Sequence, residues 1–281
     1  MTPKTILVSL NDICRNAVLL DVAGELAEQF DAHVIGHYVI PSIEIYGADG
    51  LAGPLPVVFE GRRDYFRNLT EFVKSLFDER ITGQGLRGQF EKVDSDSSDT
   101  ASVLVEHGRR GDLIIISQTS GDSGIMLEAD FVERVVLGTG RPALVIPRSG
   151  KCKLKDEVAI IGWNNTREAT RAAYDSVPLL KLAREVRIVW VDPVAEFLPP
   201  GPMPGFEIAE ALTRHGVQMV VEPLATGGLL DAGQALLQKA NDEGGFVVMG
   251  AYGHSRLREL VLGGATRSIL DAMTCPVFFS H

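Results

Sequence analysis

The chain holds 281 residues, 45% apolar and 23% charged, an ordinary globular composition long enough for one large domain or two small ones. Its 27 basic and 37 acidic residues leave a net charge of −10, which argues against nucleic acid as a partner, because backbone phosphates are held by a surplus of Lys and Arg. No apolar run approaches the ~20 residues that span a bilayer, the first residues lack the shape of a signal peptide, and Cys14, Cys152 and Cys275 are too scattered for a disulfide framework or metal cluster; a cytoplasmic, membrane-free chain is expected.

In chain order, the first strand is expected at Thr5–Leu10, an apolar run that ends at Asn11 and leads into a long helical stretch. His33–Ile40 reads as the second strand. His33 and His37 share one face of it but stand too far apart for an easy metal pair, which favours packing roles. A loop with many turn signals follows over Pro41–Phe66, marked by Gly47, Gly50, Gly53, Pro54 and Pro56. The run Asp94–Thr100 lacks the closing glutamate of a twelve-residue calcium loop and reads instead as a loop that caps a helix at Ala101. Asp112–Ser117 and Arg141–Ile146 are the next strands, and Arg148–Lys155 is a short basic linker.

The pattern then repeats. Glu157–Gly162 runs into Trp163-Asn164, and Arg167–Arg184 spaces Ala169, Ala172, Ala173, Val177, Leu180 and Ala183 as one face of a helix. Val186–Val191 leads to Asp192-Pro193 and a proline-rich stretch, readable as a lid or a stiff connector. Gly245–Gly250 and Cys275–Phe279 close the series. Asn11 and Asn164 are 153 apart, Pro41 and Pro193 152, Ser117 and Gly250 133, Pro142 and Pro276 134. Matched strands in one order with stable offsets mark a duplicated unit, divided as 1–149 and 150–281. The drop in offset makes the first copy longer between its second and fourth strands. Short apolar runs alternating with amphipathic stretches give an α/β class, with parallel sheets covered by helices on both faces. The short linker favours packing of the copies as an intramolecular pseudo-dimer.

In such sheets ligands bind beyond the carboxyl ends of the strands, where strand order reverses. After the fourth strand of copy two stands Gly250-x2-Gly253-x9-Gly263-Gly264, then the start of a helix. Glycines there let backbone N–H groups approach a phosphate, and the helix N-terminus favours an anion. His254, Arg256 and Arg258 are cations within reach. His254 has no carboxylate nearby in sequence to orient it as a base, so a loop histidine beside a phosphate is the plainer account. Ser255 reads as a helix cap.

This spacing, between a fourth strand and a final Cys275-Pro276-Val277 strand, resembles the nucleotide-binding members of the universal stress protein family, and Trp163–Ala169 is similar to the family's opening loop. The resemblance covers the chain as two tandem domains. It implies two Rossmann-like (adenine nucleotide alpha hydrolase-like) domains, each a five-stranded parallel sheet of order 3-2-1-4-5, paired through their last strands, with ATP or another adenine nucleotide bound, with or without Mg2+. It places Gly250, Gly253, Gly263, Gly264 and Ala265 at the phosphates and ribose, with Met249, His254, Arg256 and Thr266 beside them. Gly162 and Asn164 fall by the nucleoside and the Val191 backbone by the adenine. The family's binding members usually carry Asp where this chain has Asn164, and Ser or Thr where it has Gly264.

Copy one departs further, with Ser117 and Ser120 for the first two glycines and Ala129-Asp130 for the last pair. It also carries a net charge of −8 against −2 for copy two, and a carboxylate in a phosphate cradle repels its ligand. Copy two is therefore expected to hold the nucleotide, and copy one to be degenerate. No acid–base pair, nucleophile constellation or metal cluster is apparent, so a non-catalytic binding protein is expected, slow hydrolysis aside. The chain would act as its own pseudo-dimer or as a homodimer. The alternative is a nucleotide-free interaction module acting through its dimerisation surfaces.

Overall fold

The computed structural model describes residues 1–42, 56–119, 127–150, 152–192, 205–251 and 264–281, with side chains from 63 onward in the second stretch. The chain divides into two units, Pro3–Thr139 and Gly140–His281, the second including Met1–Thr2. Residues 140–149, which the offsets count with the first copy, are thus grouped with the C-terminal unit.

The N-terminal unit runs β1 (Thr5–Ser9), α1 (Asn16–Phe30), β2 (His33–Ile40), α2 (Pro56–Arg80), β3 (Gly88–Asp94), α3 (Thr100–Gly108), β4 (Leu113–Ser117) and α4 (Phe131–Gly138). Its strands lie in the order β3-β2-β1-β4, all parallel. Burial on both faces explains the continuous apolar runs: Ile6, Leu7 and Val8 of β1 and Ile114, Ile115 and Ile116 of β4 are wholly enclosed. One stripe of α1 (Leu19, Leu20, Ala23, Leu26, Phe30) covers the sheet, and Asp31 ends the helix in the left-handed conformation, φ 50°. The loop expected over Pro41–Phe66 is corrected here, because α2 begins at Pro56. Proline lacks only an N–H that the first helical turn does not use, so a residue read as a turn signal opens a helix of 25 residues. Its counterpart in the second unit has 8, which accounts for most of the change in offset. Asp99 caps α3, accepting from Ser102 N–H at 3.0 Å, as the loop reading of 94–100 expects.

The C-terminal unit runs β5 (Ala143–Ile146), β6 (Val158–Gly162), α5 (Arg167–Asp175), α6 (Val177–Leu180), β7 (Glu185–Val191), α7 (Phe206–Thr213), β8 (Val220–Leu224), α8 (Ala232–Glu243), β9 (Gly245–Gly250), α9 (Gly264–Ala272) and β10 (Val277–Ser280). Strands β8-β7-β6-β9-β10 lie in that order and are parallel, which is 3-2-1-4-5 in the unit's own count. β5 pairs antiparallel with β10, Leu144 opposite Phe278. The single helix read over Arg167–Arg184 is two, divided at Ser176 just before Pro178, whose missing N–H and ring disfavour an uninterrupted helix. α8 is capped at both ends. Asp231 accepts from Gly233 and Gln234 N–H, Gln234 reaches back to Asp231, and Gly244 closes the other end at φ 69°. No described helix is long and apolar enough to cross a membrane.

Candidate functional site

β6 and β9 are neighbours whose outgoing connections lead to opposite sides of the sheet, β6 to β7 and β9 to β10. Such a switch point leaves a crevice at the carboxyl ends, and a cavity opens there. Gly162, Trp163 and Asn164 enter it from the end of β6, Thr166 and Ala169 from the start of α5, and Val189–Val191 from β7. Ala232 and Leu236 of α8, Met249 and Gly250 of β9, and Ala265 of α9 complete the wall. The described walls enclose about 100 Å³, against ~300–1,000 Å³ for a whole ligand pocket; this is room for a flat, base-sized fragment. None of these lining residues carries an ionisable side chain, so polar recognition within this part of the site falls to backbone groups, the Asn164 amide, the Thr166 hydroxyl and the indole N–H groups of Trp163 and Trp190.

The backbone contribution follows from strand geometry. The β6–β7 ladder ends with Gly162 opposite Val189 and Trp163 N–H donating to Val189 C=O at 2.9 Å. Alternate residues of a strand turn their N–H and C=O to the same side, so Val191, two residues on, presents its pair beyond the end of β6, over the cavity. Asp192 N–H points the other way, to Leu224 C=O at 2.8 Å. Asn164 is exposed, and its Oδ1 accepts from the Thr166 hydroxyl at 2.8 Å. That hydroxyl also caps α5, accepting from Ala169 N–H at 3.3 Å. The Asn164 amide nitrogen is left as a donor at the rim.

The described glycines around the cavity differ in how tightly they are held. A Cβ on Gly250 would lie 2.5 Å from Ala169 N and closer still to the Glu168 carbonyl carbon, so α5 passes too near the end of β9 for any side chain. A Cβ on Gly162 would meet Leu236 Cδ1 at 2.6 Å, the movable end of a side chain in the cavity wall. Gly264, the first residue of α9, is exposed with nothing within 4 Å of an added Cβ.

Next to the cavity the chain turns sharply. Asp192, at φ 42°, sends its carboxylate into the consecutive backbone amides of the loop after β8. It accepts from Thr226 N–H at 2.6 Å, Gly227 N–H at 3.2 Å and Gly228 N–H at 3.4 Å, and also from the Thr226 hydroxyl. These bonds, the Thr226 hydroxyl first, hold its pKa below the usual carboxylate range. The clamp ties the end of β7 to the loop that delivers Ala232.

Of the residues singled out from sequence, Gly162, Asn164, Val191, Met249, Gly250 and Ala265 come together around the cavity. Gly264 and Thr266 lie in the first turn of α9, Gly264 exposed and Thr266 buried. Gly253, His254, Arg256 and Gly263, with Arg258 and Ser255, lie outside the described residues, as does the proline-rich stretch 193–204. Trp163, Thr166, Ala169, Val189, Trp190, Ala232 and Leu236 also line the cavity and are not among the site residues the sequence points to. Thr166 carries a signal, a hydroxyl two residues after Asn164 at a helix entrance, whereas Ala232 and Leu236 carry none. In the N-terminal unit His37 is wholly buried, its Nε2 3.0 Å from His107 Nδ1, and burial, then His107 and Arg110, lower its pKa to about 3. His33 is half-buried at the start of the same strand. No group of three metal-ligating side chains occurs among the described residues.

No protein-family model and no curated protein matches the sequence. Among solved structures, a universal stress protein from Archaeoglobus fulgidus DSM 4304 aligns over 100% of this chain and 99% of its own, at 16% identity and a TM-score of 0.67. A functionally unknown protein from Pseudomonas aeruginosa PAO1 aligns over 99% of this chain and 92% of its own, at 15% identity and a TM-score of 0.50. A universal stress protein from Archaeoglobus fulgidus in complex with dAMP aligns with 52% of this chain and 98% of its own, at 15% identity and a TM-score of 0.33. The chain has the universal stress protein fold, present as two tandem units.

Proposed function

We propose that the C-terminal unit binds an adenine nucleotide, ATP foremost, and that the chain is a non-catalytic, nucleotide-responsive protein of the cytoplasm. The observation that carries this reading is the cavity at the β6–β9 switch point, apolar in its walls and edged by the N–H and C=O of Val191. Adenine offers a donor, its exocyclic amine, beside an acceptor ring nitrogen, and a backbone C=O and N–H side by side complement that pair. Apolar walls at Leu236, Met249 and Ala265 suit the faces of a base, and the Asn164 amide nitrogen suits a ribose hydroxyl. From there the phosphates would run toward the segment from Gly250 to Gly264, with Gly253, Gly263, His254 and Arg256 about them, Thr266 behind, and Mg2+ accompanying a triphosphate.

Nucleotide released from freshly purified chain, followed by calorimetric titration of ATP, ADP and AMP with Mg2+, tests this. One adenine nucleotide per chain is expected. Neither co-purified nucleotide nor heat of binding would sink the proposal and leave an interaction module acting through its dimerisation surfaces. Sustained hydrolysis lost in His254→Ala would sink the non-catalytic part alone.

A further inference from the structure

The N-terminal unit has a counterpart of the base-binding edge. β1 and β2 end as β6 and β7 do, with Ser9 opposite His37 and Leu10 N–H donating to His37 C=O at 2.9 Å. Two residues on, Val39 stands where Val191 stands, and Asn11 stands where Asn164 stands. Here the edge is filled. Asn11 Nδ2 donates to Val39 C=O at 2.6 Å and Val39 N–H donates to Asn11 Oδ1 at 2.9 Å, with Asn11 only 1% exposed. A carboxamide offers one donor beside one acceptor, the same pair that adenine offers. Next to it, Asn16 Nδ2 donates to Leu10 C=O at 2.8 Å and holds the loop down.

A second side chain covers the start of α3. Thr100 is the first residue of α3, as Ala232 is of α8, and Ala232 lines the C-terminal cavity. Glu128 sets its carboxylate on Thr100, accepting from the N–H at 3.0 Å and from Oγ1 at 2.6 Å. It thereby satisfies an amide that a helix start otherwise leaves open.

We propose that the N-terminal unit is a latent adenine site, kept closed by Asn11 in place of the base and by Glu128 at the start of α3. This deepens the reading of the C-terminal unit and rests on it for the role of the Val191 edge. The sequence difference that selects the closed state is at position 13. The C-terminal unit has Thr166, whose hydroxyl engages Asn164 Oδ1; the N-terminal unit has Ile13 there, which has no hydroxyl, and the amide turns onto Val39.

The test titrates adenosine, which offers the base without phosphates to meet Asp130, into the full chain, wild type and Asn11→Ala/Glu128→Ala, by calorimetry. Stoichiometry is expected to rise from one to two per chain. A value that stays at one, in a variant whose N-terminal unit still unfolds cooperatively, overturns the proposal. Wild type binding none while the variant binds one would sink the C-terminal reading and leave this one standing; both binding none sinks both. Should the variant not fold, amide exchange in the wild type decides. On saturation with adenosine, Val191 N–H is expected to gain at least tenfold protection while Val39 N–H, already protected, changes less than twofold. Slow exchange at Val39 that adenosine leaves untouched supports closure, whereas fast exchange at Val39 in the free chain, or a gain there matching Val191, overturns it.

Discussion

Gly250 offers the sharpest separation of packing from binding, through the substitution Gly250→Ala. Its φ is not among the positive values of the chain, so alanine meets no backbone strain there and stiffens the unfolded chain, a gain of about 0.4–1 kcal/mol. Against this stands the new methyl, 2.5 Å from Ala169 N. The obstacle is the backbone of α5 beside Thr166 and Glu168, which moves only if the helix moves. Overpacking of this kind costs about 1–3 kcal/mol, with the upper end apt when backbone is hit. The net loss is about 2 kcal/mol, or a fall in Tm of about 4–8 °C for a unit of this size. Gly162→Ala is the control, since its methyl meets the tip of Leu236 at 2.6 Å. Leu236 can swing away, across the cavity, so this variant should keep its Tm within about 3 °C, roughly 1 kcal/mol, yet lose nucleotide affinity. Thermal unfolding and calorimetry on both variants separate the two effects. A Gly250→Ala chain as stable as wild type would refute the packing account.

Gly264→Ser should be silent for stability, within about 0.5 kcal/mol by thermal unfolding, because nothing lies within 4 Å of the new side chain; a loss beyond 1 kcal/mol would show that space to be occupied. His37, lowered to about 3 by burial and by His107 and Arg110, with Glu91 in register beside it, makes the N-terminal unit acid-sensitive. Below about pH 6.5 the unfolded chain binds a proton that the native imidazole refuses, so stability falls as pH drops toward 3, by about 1.4 kcal/mol per pH unit. His37→Gln should flatten that slope in denaturant titrations at pH 4–7, and an unchanged slope would assign the sensitivity elsewhere. Thr166→Val removes the hydroxyl that holds Asn164 and should cost about 1 kcal/mol for the lost cap. It should also weaken ATP binding at least tenfold as Asn164 turns onto Val191, while Thr166→Ser retains both; equal affinity in the valine variant would refute the role of that hydroxyl.

The strands were legible because burial on both faces demands continuous apolar runs, and the duplication was legible because the runs recur at fixed offsets. Part of the cavity wall was legible for a related reason. The switch-point rule points to the loops after the first and fourth strands, and these supply Gly162, Asn164, Met249 and Gly250. Ala232 and Leu236 escaped because their presence in the wall depends on how α8 leans over the sheet, a tertiary fact with no local signature. Pro56 misled because proline marks a helix start as readily as a loop. Gly250 was picked out for its freedom to approach a phosphate, and the structure adds a second demand on the same residue, the passage of α5.

Asn11 and Asn164 show why residue type alone does not locate function in a duplicated chain. Both follow an equivalent strand, and both amides can serve an edge that offers one N–H and one C=O. What each amide does is settled by its competitors. Where a hydroxyl two residues along engages its oxygen, as at Thr166, the strand edge is left for something else to satisfy. Where Ile13 stands instead, the amide satisfies the edge itself, and the full burial of Asn11 rewards it with two well-formed bonds in a low dielectric. A buried N–H and C=O must be paired by something. The pair at Val39 has an internal partner, while the half-buried pair at Val191 is placed to take an external one. The net charge separates the copies in the same sense, −8 on the closed one and −2 on the open one. A unit closed by its own side chains is under no demand to attract an anion, so acidic residues such as Glu128 can accumulate in it and serve the closure.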